Sequence, residues 1–184
     1  MWFVLRPTYS RAMKASAALT LMGIESYLPT IQVKHIIREE FNRARVEYVE
    51  QPLIKNLIFV RSTRKQIREL LITHQIDYLT PYYDHFRKNA FGRNDYLIVD
   101  DISMENFRRV VDTRNKDIIQ ANPENTKFHT GQLVRVTEGE FTGVTGRVAR
   151  YKGQQRVFVE LQGICMVATA YIPSAFLQPI EQDL

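Results

Sequence analysis

The pattern of apolar and polar positions divides the chain into two parts with different predicted folds. In residues 1–113, short apolar runs such as WFVLR, ESYLPT and NLIFV alternate with segments whose apolar residues recur at helical spacing. Three helices are predicted, with apolar faces formed by Ala12, Ala15, Leu19 and Met22, by Ile67, Leu70, Leu71 and His74, and by Met104, Phe107, Val110 and Val111. Strands interleaved with helices, with antiparallel hairpins among them, predict an α/β sandwich of about four strands.

Capping signals mark the ends of these helices. The candidate N-caps are Ser10 for the first helix, either Ser62 or Thr63 for the second, and either Asp100 or Asp101 for the third. Gly23 is the predicted stop of the first helix. Between the first two helices, residues 32–50 predict a polar, basic hairpin.

A different pattern begins after a polar tether. Residues 114–127, RNKDIIQANPENTK, have little apolar periodicity and are predicted to be a flexible linker. Residues 128–184 hold six of the chain's eight glycines, which separate short alternating runs such as LVRV and RVFVEL. Turns at that density predict a small antiparallel barrel of about five strands. We therefore expect an α+β protein with an N-terminal domain, 1–113, and a C-terminal β domain, 128–184.

Charge is unevenly distributed between these parts. The net charge is +5 and the isoelectric point about 9.4. Residues 1–113 hold 17 Lys and Arg against 13 Asp and Glu, whereas residues 128–184 hold five against five. A basic excess of this size fits either a solvated surface or contact with nucleic acid, and it assigns any such contact to the N-terminal domain.

Several classes of protein do not fit the sequence. The four histidines share no metal-ligand spacing, and neither a phosphate-binding glycine loop nor a recognised catalytic context is present, so neither catalysis nor a cofactor is expected. Cys165 lies in the apolar run ICMVATAYI and is expected to be a buried hydrophobe rather than a nucleophile. No apolar run reaches the roughly 18 residues of a membrane span, and WFVL follows Met1 in place of a signal peptide, so a cytoplasmic protein without membrane contact is expected.

Residues 131–148, GQLVRVTEGEFTGVTGRV, contain four glycines. In a tightly curled barrel the chain reverses every few residues, and glycine supplies the positive φ angles and bends that a Cβ obstructs. From Gly131 to about Leu161 the sequence resembles the KOW motif, which occurs in SH3-like barrels of ribosomal proteins and of transcription elongation factors of the NusG type. The matching residues are Gly131, Val134, Val136, Gly139, Phe141, Gly143, Gly146 and Val148.

The first part resembles the NusG N-terminal (NGN) domain in order and spacing. WFVLRP is followed by a helix, IESYLPTIQV, a basic hairpin and EQPLIKNLIFV, where family members carry W-[YF]-V and later PLFPGYVFV or PLFPNYLFV. With the KOW match, the chain is identified as a member of the NusG/RfaH-type family of transcription elongation factors. The resemblance implies a monomeric, non-enzymatic factor that binds the clamp helices of the RNA polymerase β′ subunit, bridges the polymerase cleft and raises processivity.

Departures from the family pattern favour a specialised member. Lys55-Asn56-Leu57 stands where Pro-Gly-Tyr or Pro-Asn-Tyr is usual, and Ile54 replaces an aromatic residue. LQGICMV lacks the FGR stretch of the general factor. The chain thus resembles the antiterminators encoded at the head of bacterial capsular-polysaccharide operons. The alternatives are the housekeeping member of the family and a ribosome-associated or general RNA-binding KOW protein.

The run NLIFV is open to two interpretations. In a strand, Leu57 and Phe59 point to one face while Ile58 and Val60 point to the other, so both faces are apolar. This pattern fits either a central strand covered on both sides or an exposed apolar patch. The resemblance assigns the patch to polymerase binding, through Leu53, Ile54, Leu57 and Phe59. Lys55 lies either at the patch rim or in solvent.

The resemblance also implies partners for the basic residues and for the barrel. Family members approach the non-template DNA strand with the first helix and the hairpin, where this chain carries Arg6, Arg11, Lys14, Lys34, His35, Arg38, Arg43 and Arg45. A solvated surface is the alternative for each of them. The balanced charge of the barrel favours docking to a protein, such as a ribosomal protein, over RNA binding. Because a glycine inside a helix costs about 1 kcal/mol, we do not expect the barrel to refold as a helical hairpin, as it does in RfaH.

Overall fold

The N-terminal half is built around a five-stranded antiparallel sheet. The computed structural model describes residues 1–38, 44–121, 131–161 and 163–181. Within these ranges, the strands of the first half are β1 (Trp2–Pro7), β2 (Ser26–Tyr27), β3 (Thr30–Arg38), β4 (Ala44–Pro52), β5 (Ile58–Arg61), β6 (Leu79–Pro81), β7 (Tyr83–Lys88), β8 (Asn94–Tyr96) and β9 (Ile98–Val99). The α-helices are α1 (Ala12–Leu21), α2 (Arg64–Ile72) and α3 (Asp101–Val111). In the sheet, β1 lies between β5 on one side and β6 and β9 on the other, and β2 pairs with β5.

Both faces of this sheet are covered. Along β1, Trp2 and Val4 belong to an apolar cluster that includes α3, whereas Phe3 and Leu5 belong to a cluster with α1 and α2. A strand covered on both faces needs apolar residues at successive positions, which explains the unbroken run WFVL. The prediction of an α+β fold with three helices and a mainly antiparallel sheet is confirmed, with five strands in place of four.

The helices form where the apolar spacing predicts them, although one predicted cap is wrong. Thr63 caps α2 and Asp100 caps α3, each by accepting a backbone N–H from the residue three positions later. In α1 the N-cap is Arg11, without a side-chain bond, because Ser10 has a φ of 56° and so lies outside the extended region that a capping serine uses. Gly23 follows α1 in the left-handed conformation, at φ 69°, as predicted.

Two hairpins form separate two-stranded sheets. β3 pairs with β4 in an unbroken register from Thr30 opposite Pro52 to Arg38 opposite Ala44, which confirms and extends the predicted hairpin of residues 32–50. β7 begins two residues after the end of β6 and pairs with β8. The register of this pair shifts between Asp84 and Lys88. This second hairpin has no counterpart in the predictions from sequence.

The C-terminal half is a six-stranded antiparallel sheet with the order β10-β14-β13-β12-β11-β15. Its strands are β10 (Ile119–Ala121), β11 (Leu133–Val136), β12 (Thr145–Tyr151), β13 (Gln154–Leu161), β14 (Cys165–Ala168) and β15 (Leu177–Pro179). Cys165 is buried, as predicted, and burial raises the pKa of its thiol to about 12. The β character of this half agrees with the prediction, while its assignment as a KOW barrel stays a prediction.

The predicted linker, 114–127, is not free of secondary structure. Its residues 119–121 form β10, which pairs with β14 and adds a strand to the predicted five. Nη1 of the buried Arg156 also donates a hydrogen bond to the Asp117 carbonyl oxygen. The polar composition suggests a tether, but Ile119 packs an apolar side chain against the sheet. The linker is therefore divided: Arg114 and Lys116 contact the N-terminal half, whereas Asp117 and β10 join the C-terminal sheet. Residues 122–130 lie outside the described residues.

Candidate functional site

The residues predicted to bind polymerase lie in β5 and the turn before it. We name Leu53, Ile54, Leu57 and Phe59 the β5 patch. Leu53, Ile54 and Leu57 are each 8% exposed and Phe59 is 0% exposed. The expectation of an exposed patch is therefore wrong for this arrangement, and the alternative, a strand covered on both faces, is correct.

Helix α3 covers the Phe59 end of the patch. The ring centroids of Phe59, Phe107 and Tyr27 lie 6.1 to 6.5 Å from one another, the spacing of favourable aromatic pairs. The Tyr27 hydroxyl donates a 2.7 Å hydrogen bond to Oδ1 of Asp112. Burial, together with this bond, raises the pKa of Tyr27. The aromatic group and the hydrogen bond hold α3 against β5.

The turn before β5 explains one feature of the family pattern. Asn56 has a φ of 57°, in the left-handed region where a side chain with a branched or bulky Cβ is strained. Glycine adopts this conformation freely, and asparagine more readily than most residues. The Gly or Asn of the family's Pro-Gly-Tyr and Pro-Asn-Tyr stands at this position. The backbone geometry is thus compatible with the family turn, although Lys55 replaces the proline.

The β5 patch borders the contact between the two halves. It belongs to an apolar cluster that continues into the C-terminal sheet, where it includes Val136 and Phe141. A cavity of about 360 Å³ lies beside Leu53 and is lined by residues of both halves, among them Val111 and Ile118. The C-terminal half therefore lies next to the predicted binding residues.

Polar contacts from α3 join the two halves. Oδ1 of Asn106 accepts a 2.8 Å hydrogen bond from the backbone N–H of Thr145, and Nη1 of Arg109 donates to the Thr142 carbonyl oxygen at 3.1 Å. A cavity of about 240 Å³ beside them is lined by Ser103, Asn106 and Met166. Sequence reasoning missed Asn106, because a polar residue in an amphipathic helix normally marks the solvent face. The contact between the halves therefore includes two hydrogen bonds from α3, with a pocket of about 240 Å³ beside them.

Replacing Asn106 with alanine is expected to lower the free energy of unfolding by about 1–2 kcal/mol, because the Thr145 N–H loses its partner. Chemical denaturation of the full chain measures the change. The control is Gln75→Ala, at an exposed amide side chain away from the contact between the halves, and it is expected to change stability by less than about 0.5 kcal/mol. Equal stability of both variants would show that the Asn106 bond does not stabilise the contact.

The KOW-type residues fall into two structural groups. Val134 and Val136 are buried on β11, Phe141 is buried in the turn between β11 and β12, and Val148 is half-buried. The glycines of the motif are Gly131, Gly139, Gly143 and Gly146. Gly139 and Gly143 have φ angles of 83° and 86°, so their turns use the conformation that glycine favours. A Cβ at Gly143 would also lie 2.7 Å from Nη1 of Arg109, so this glycine leaves space for the joint between the halves.

Three of the predicted nucleic-acid-binding residues lie next to tyrosine rings at the two ends of β6. The guanidinium of Arg11 and the ammonium of Lys14 lie 5.0 and 5.7 Å from the Tyr78 ring centroid. The guanidinium of Arg6 lies 5.8 Å from the Tyr82 ring, at the other end of β6. All three basic side chains are exposed. We name these three residues the β6 group. Tyr78 packs with α1 and α2, whereas Tyr82 packs against the cluster that includes α3, so Arg6 lies towards a different face of the sheet from Arg11 and Lys14.

The remaining predicted residues belong to the β3–β4 hairpin. Lys34 lies opposite Tyr48 and His35 opposite Glu47, which places the two basic side chains on opposite faces of the hairpin. Arg45 lies opposite Ile37, on the face that carries His35. Arg38 ends β3, and Arg43 lies outside the described residues. The eight predicted residues therefore do not form one site.

The structure thus combines an α+β half, which carries the buried β5 patch and the exposed basic residues of the β6 group, with a β half. Residues 1–89 match the family model described as Transcription termination factor nusG. The match spans 89 of the 184 residues, slightly under half of the chain, so the similarity to this family covers the N-terminal half. Members of this family are non-enzymatic transcription factors that generally bind RNA polymerase. No curated protein matches the chain significantly.

Among the residues that the structure describes, no helix combines the length and the apolar content required to cross a bilayer.

Proposed function

We propose that this protein is a specialised bacterial NusG-type factor for transcription elongation and antitermination. The observation that carries the proposal is the match of residues 1–89 to the NusG family. Its specialised character is supported by Ile54, Lys55 and Leu57, which depart from the family pattern. The factor increases the processivity of polymerase on selected operons, such as those for polysaccharide biosynthesis.

Its polymerase contact is the β5 patch, which binds the clamp helices of the β′ subunit. Leu53, Ile54 and Leu57 are buried at 8% exposure, and Phe59 is buried completely next to Phe107, so the first three need the smaller rearrangement to reach a partner. We therefore assign direct contact to the first three and a supporting role to Phe59. Full burial of an aliphatic side chain contributes about 1.5–3 kcal/mol, from which the entropy cost of association must be subtracted.

Binding through this patch requires the C-terminal half to move away from it. Pockets that open to solvent lie beside Leu53 and beside Asn106 and flank the contact between the halves, so water reaches its edges. Once released, the C-terminal module is available to a protein partner, such as a ribosomal protein. Its five basic and five acidic residues, counted over 128–184, favour a protein over nucleic acid as that partner.

The β6 group supplies the contact with the non-template DNA strand. Arg6, Arg11 and Lys14 are exposed, and the cation of each lies next to a tyrosine ring. Cations in such a group neutralise phosphates and give salt-dependent affinity with little sequence information. The hairpin residues Lys34, His35 and Arg45 add basic side chains on a separate element.

The combined variant Ile54→Ala, Leu57→Ala is expected to weaken capture of purified core RNA polymerase by at least about tenfold, because the contact loses two aliphatic side chains. A pull-down with the full chain measures the change. The matched control is Leu21→Ala, Ile72→Ala, which removes two aliphatic side chains that are 89% and 63% exposed on other elements.

Circular dichroism and thermal unfolding establish that both pairs of variants are folded. Unchanged polymerase capture by the folded β5-patch variant would reject the patch as the docking surface. Transcription in vitro through a pause or terminator then tests processivity, and a wild-type protein that binds polymerase without extending transcripts would reject the elongation role.

A further inference from the structure

The β7–β8 hairpin presents two aromatic side chains to solvent. Phe86 is 95% exposed and Phe91 is 88% exposed. Single exposed apolar residues are common on protein surfaces, but two nearly fully exposed phenyl rings within six residues form a concentrated apolar feature. Neither ring belongs to the apolar clusters of the fold.

Hydrogen bonds within the hairpin fix the segment that carries these rings. Oδ1 of Asn89 accepts from the backbone N–H groups of Phe91 and Arg93, at 2.9 and 3.1 Å. The Asn89 N–H donates to the Arg93 carbonyl oxygen at 2.8 Å, and Gly92 adopts a φ of 71°. The turn is therefore an ordered platform, and the position of Phe91 follows from its backbone.

The base of the hairpin is also fixed. The rings of Tyr83 and Tyr96 stack with centroids 5.8 Å apart across the two strands. Asp95 receives two hydrogen bonds from the guanidinium of Arg64, at 2.5 and 2.8 Å, which join β8 to α2. Ring stacking and the bidentate ion pair anchor the hairpin to the body of the N-terminal module.

The hairpin is basic where its rings are exposed. Residues 85–94 contain Arg87, Lys88 and Arg93 and no acidic residue. The nearby acids lie at the base, where Asp95 is paired with Arg64 and Asp84 lies 3.7 Å from the Arg87 guanidinium. Among the described residues, Lys88 and Arg93 form no ion pair, so an acidic partner meets two unpaired cations near the rings, and Arg87 adds a third that is paired with Asp84.

The hairpin continues from the β6 group along the chain. Tyr82, whose ring lies next to Arg6, directly precedes β7. Tyr78, whose ring lies next to the cations of Arg11 and Lys14, is at the other end of β6. Because a strand rises about 3.3 Å per residue, β7 extends this sequence of aromatic and basic residues by about 20 Å.

We propose that the β7–β8 hairpin binds single-stranded nucleic acid, with Phe86 and Phe91 stacked on bases and Arg87, Lys88 and Arg93 close to phosphates. Flat aromatic faces interleaved with cations are the combination that single strands recognise, because every base has a stacking face and every linkage a negative charge. A protein partner could bind through the apolar area of the two side chains, but its binding would not require flat rings that stack on bases. The inference extends beyond the proposed function, which assigns no role to this hairpin, and it does not depend on polymerase.

The test is fluorescence anisotropy of the full chain with labelled 12-nucleotide oligo(dT) and oligo(rU). Phe86→Ala and Phe91→Ala are each expected to weaken binding at least about fivefold, the lower end of the effect of losing one stacked base. Replacing Arg87, Lys88 and Arg93 with glutamine is expected to reduce the logarithmic salt slope by about 0.7 for each phosphate that the variant no longer neutralises. Comparing the two oligonucleotides shows whether DNA or RNA is preferred.

The double variant Phe86→Leu, Phe91→Leu separates stacking from apolar docking. It is expected to bind as weakly as the double alanine variant, and Phe86→Tyr, Phe91→Tyr is expected to restore binding. Wild-type affinity of the leucine variant, equal affinity for a 12-base-pair duplex, or no binding of either single strand would overturn the proposal. Ile102→Ala, a change at a 76% exposed residue of α3, is the surface control. Polymerase capture, measured separately, tests the proposed function and leaves this result independent.

Discussion

Replacing Phe107 with alanine is expected to lower the free energy of unfolding by about 3–5 kcal/mol, the usual cost of deleting a fully buried aromatic side chain. Phe107 is 0% exposed and lies 6.1 Å from Phe59 and 6.4 Å from Tyr27, between ring centroids. Its removal leaves a cavity beneath α3, the helix that also joins the two halves. Both the N-terminal core and the contact with the C-terminal sheet are therefore expected to weaken.

Urea denaturation followed by circular dichroism measures this loss. The control on the same helix is Ile102→Ala, at a residue that is 76% exposed, and its expected effect is within about 0.5 kcal/mol. A loss below about 1.5 kcal/mol for Phe107→Ala would contradict the central position of its ring. If Ile102→Ala keeps the full stability, the loss in Phe107→Ala comes from the packing of the Phe107 ring and not from a change in the helix propensity of α3.

The main strands and helices of the N-terminal module are predictable from sequence because the spacing of their apolar residues follows a clear pattern. A strand covered on both faces has a continuous apolar run, and WFVL and LIFV have that property. Helix ends are predicted less accurately. The apolar spacing assigns Met22 and His74 to helix faces, but each lies beyond the last residue of its helix and is exposed. Local spacing identifies a helix more reliably than the turn at which it ends.

The β7–β8 hairpin and β10 are not predictable from local pattern. Residues 85–94 are mostly polar or basic, and the two phenylalanines follow neither period, because neither is buried. β10 lies in a segment with loop composition and forms through pairing with β14, more than forty residues later in the chain. Pairing of this kind depends on the tertiary fold, which outweighs local preference in short strands.

The exposure of the β5 patch cannot be read from sequence for a related reason. Leu57 and Phe59 alternate as an apolar face whether that face meets solvent, a partner or the protein's own helix. The covering element, α3, begins about forty residues later, and the C-terminal sheet later still. Sequence therefore identifies the residues of the candidate site, and the tertiary fold determines that they are buried in this arrangement.

Replacing Gly146 with valine is expected to destabilise the protein by about 3 kcal/mol, the upper part of the range for overpacking. A Cβ at Gly146 would clash with the Phe158 carbonyl oxygen and would lie 2.8 Å from Cγ1 of Val157. The oxygen belongs to the backbone of β13, which pairs with β12, so it cannot move without disturbing the sheet. The glycine at this position is required for space.

Gly153 provides the contrast, because it is required for backbone conformation. Its φ is 78°, and no atom lies within 4 Å of a Cβ built there. Gly153→Ala is therefore expected to cost about 1–2 kcal/mol, the strain of a left-handed alanine. Thermal and urea unfolding of Gly146→Ala, Gly146→Val and Gly153→Ala distinguish the two causes. Steric contact predicts a further loss from alanine to valine at position 146, and equal stabilities there would show that β13 yields and that the glycine is not needed for close strand packing.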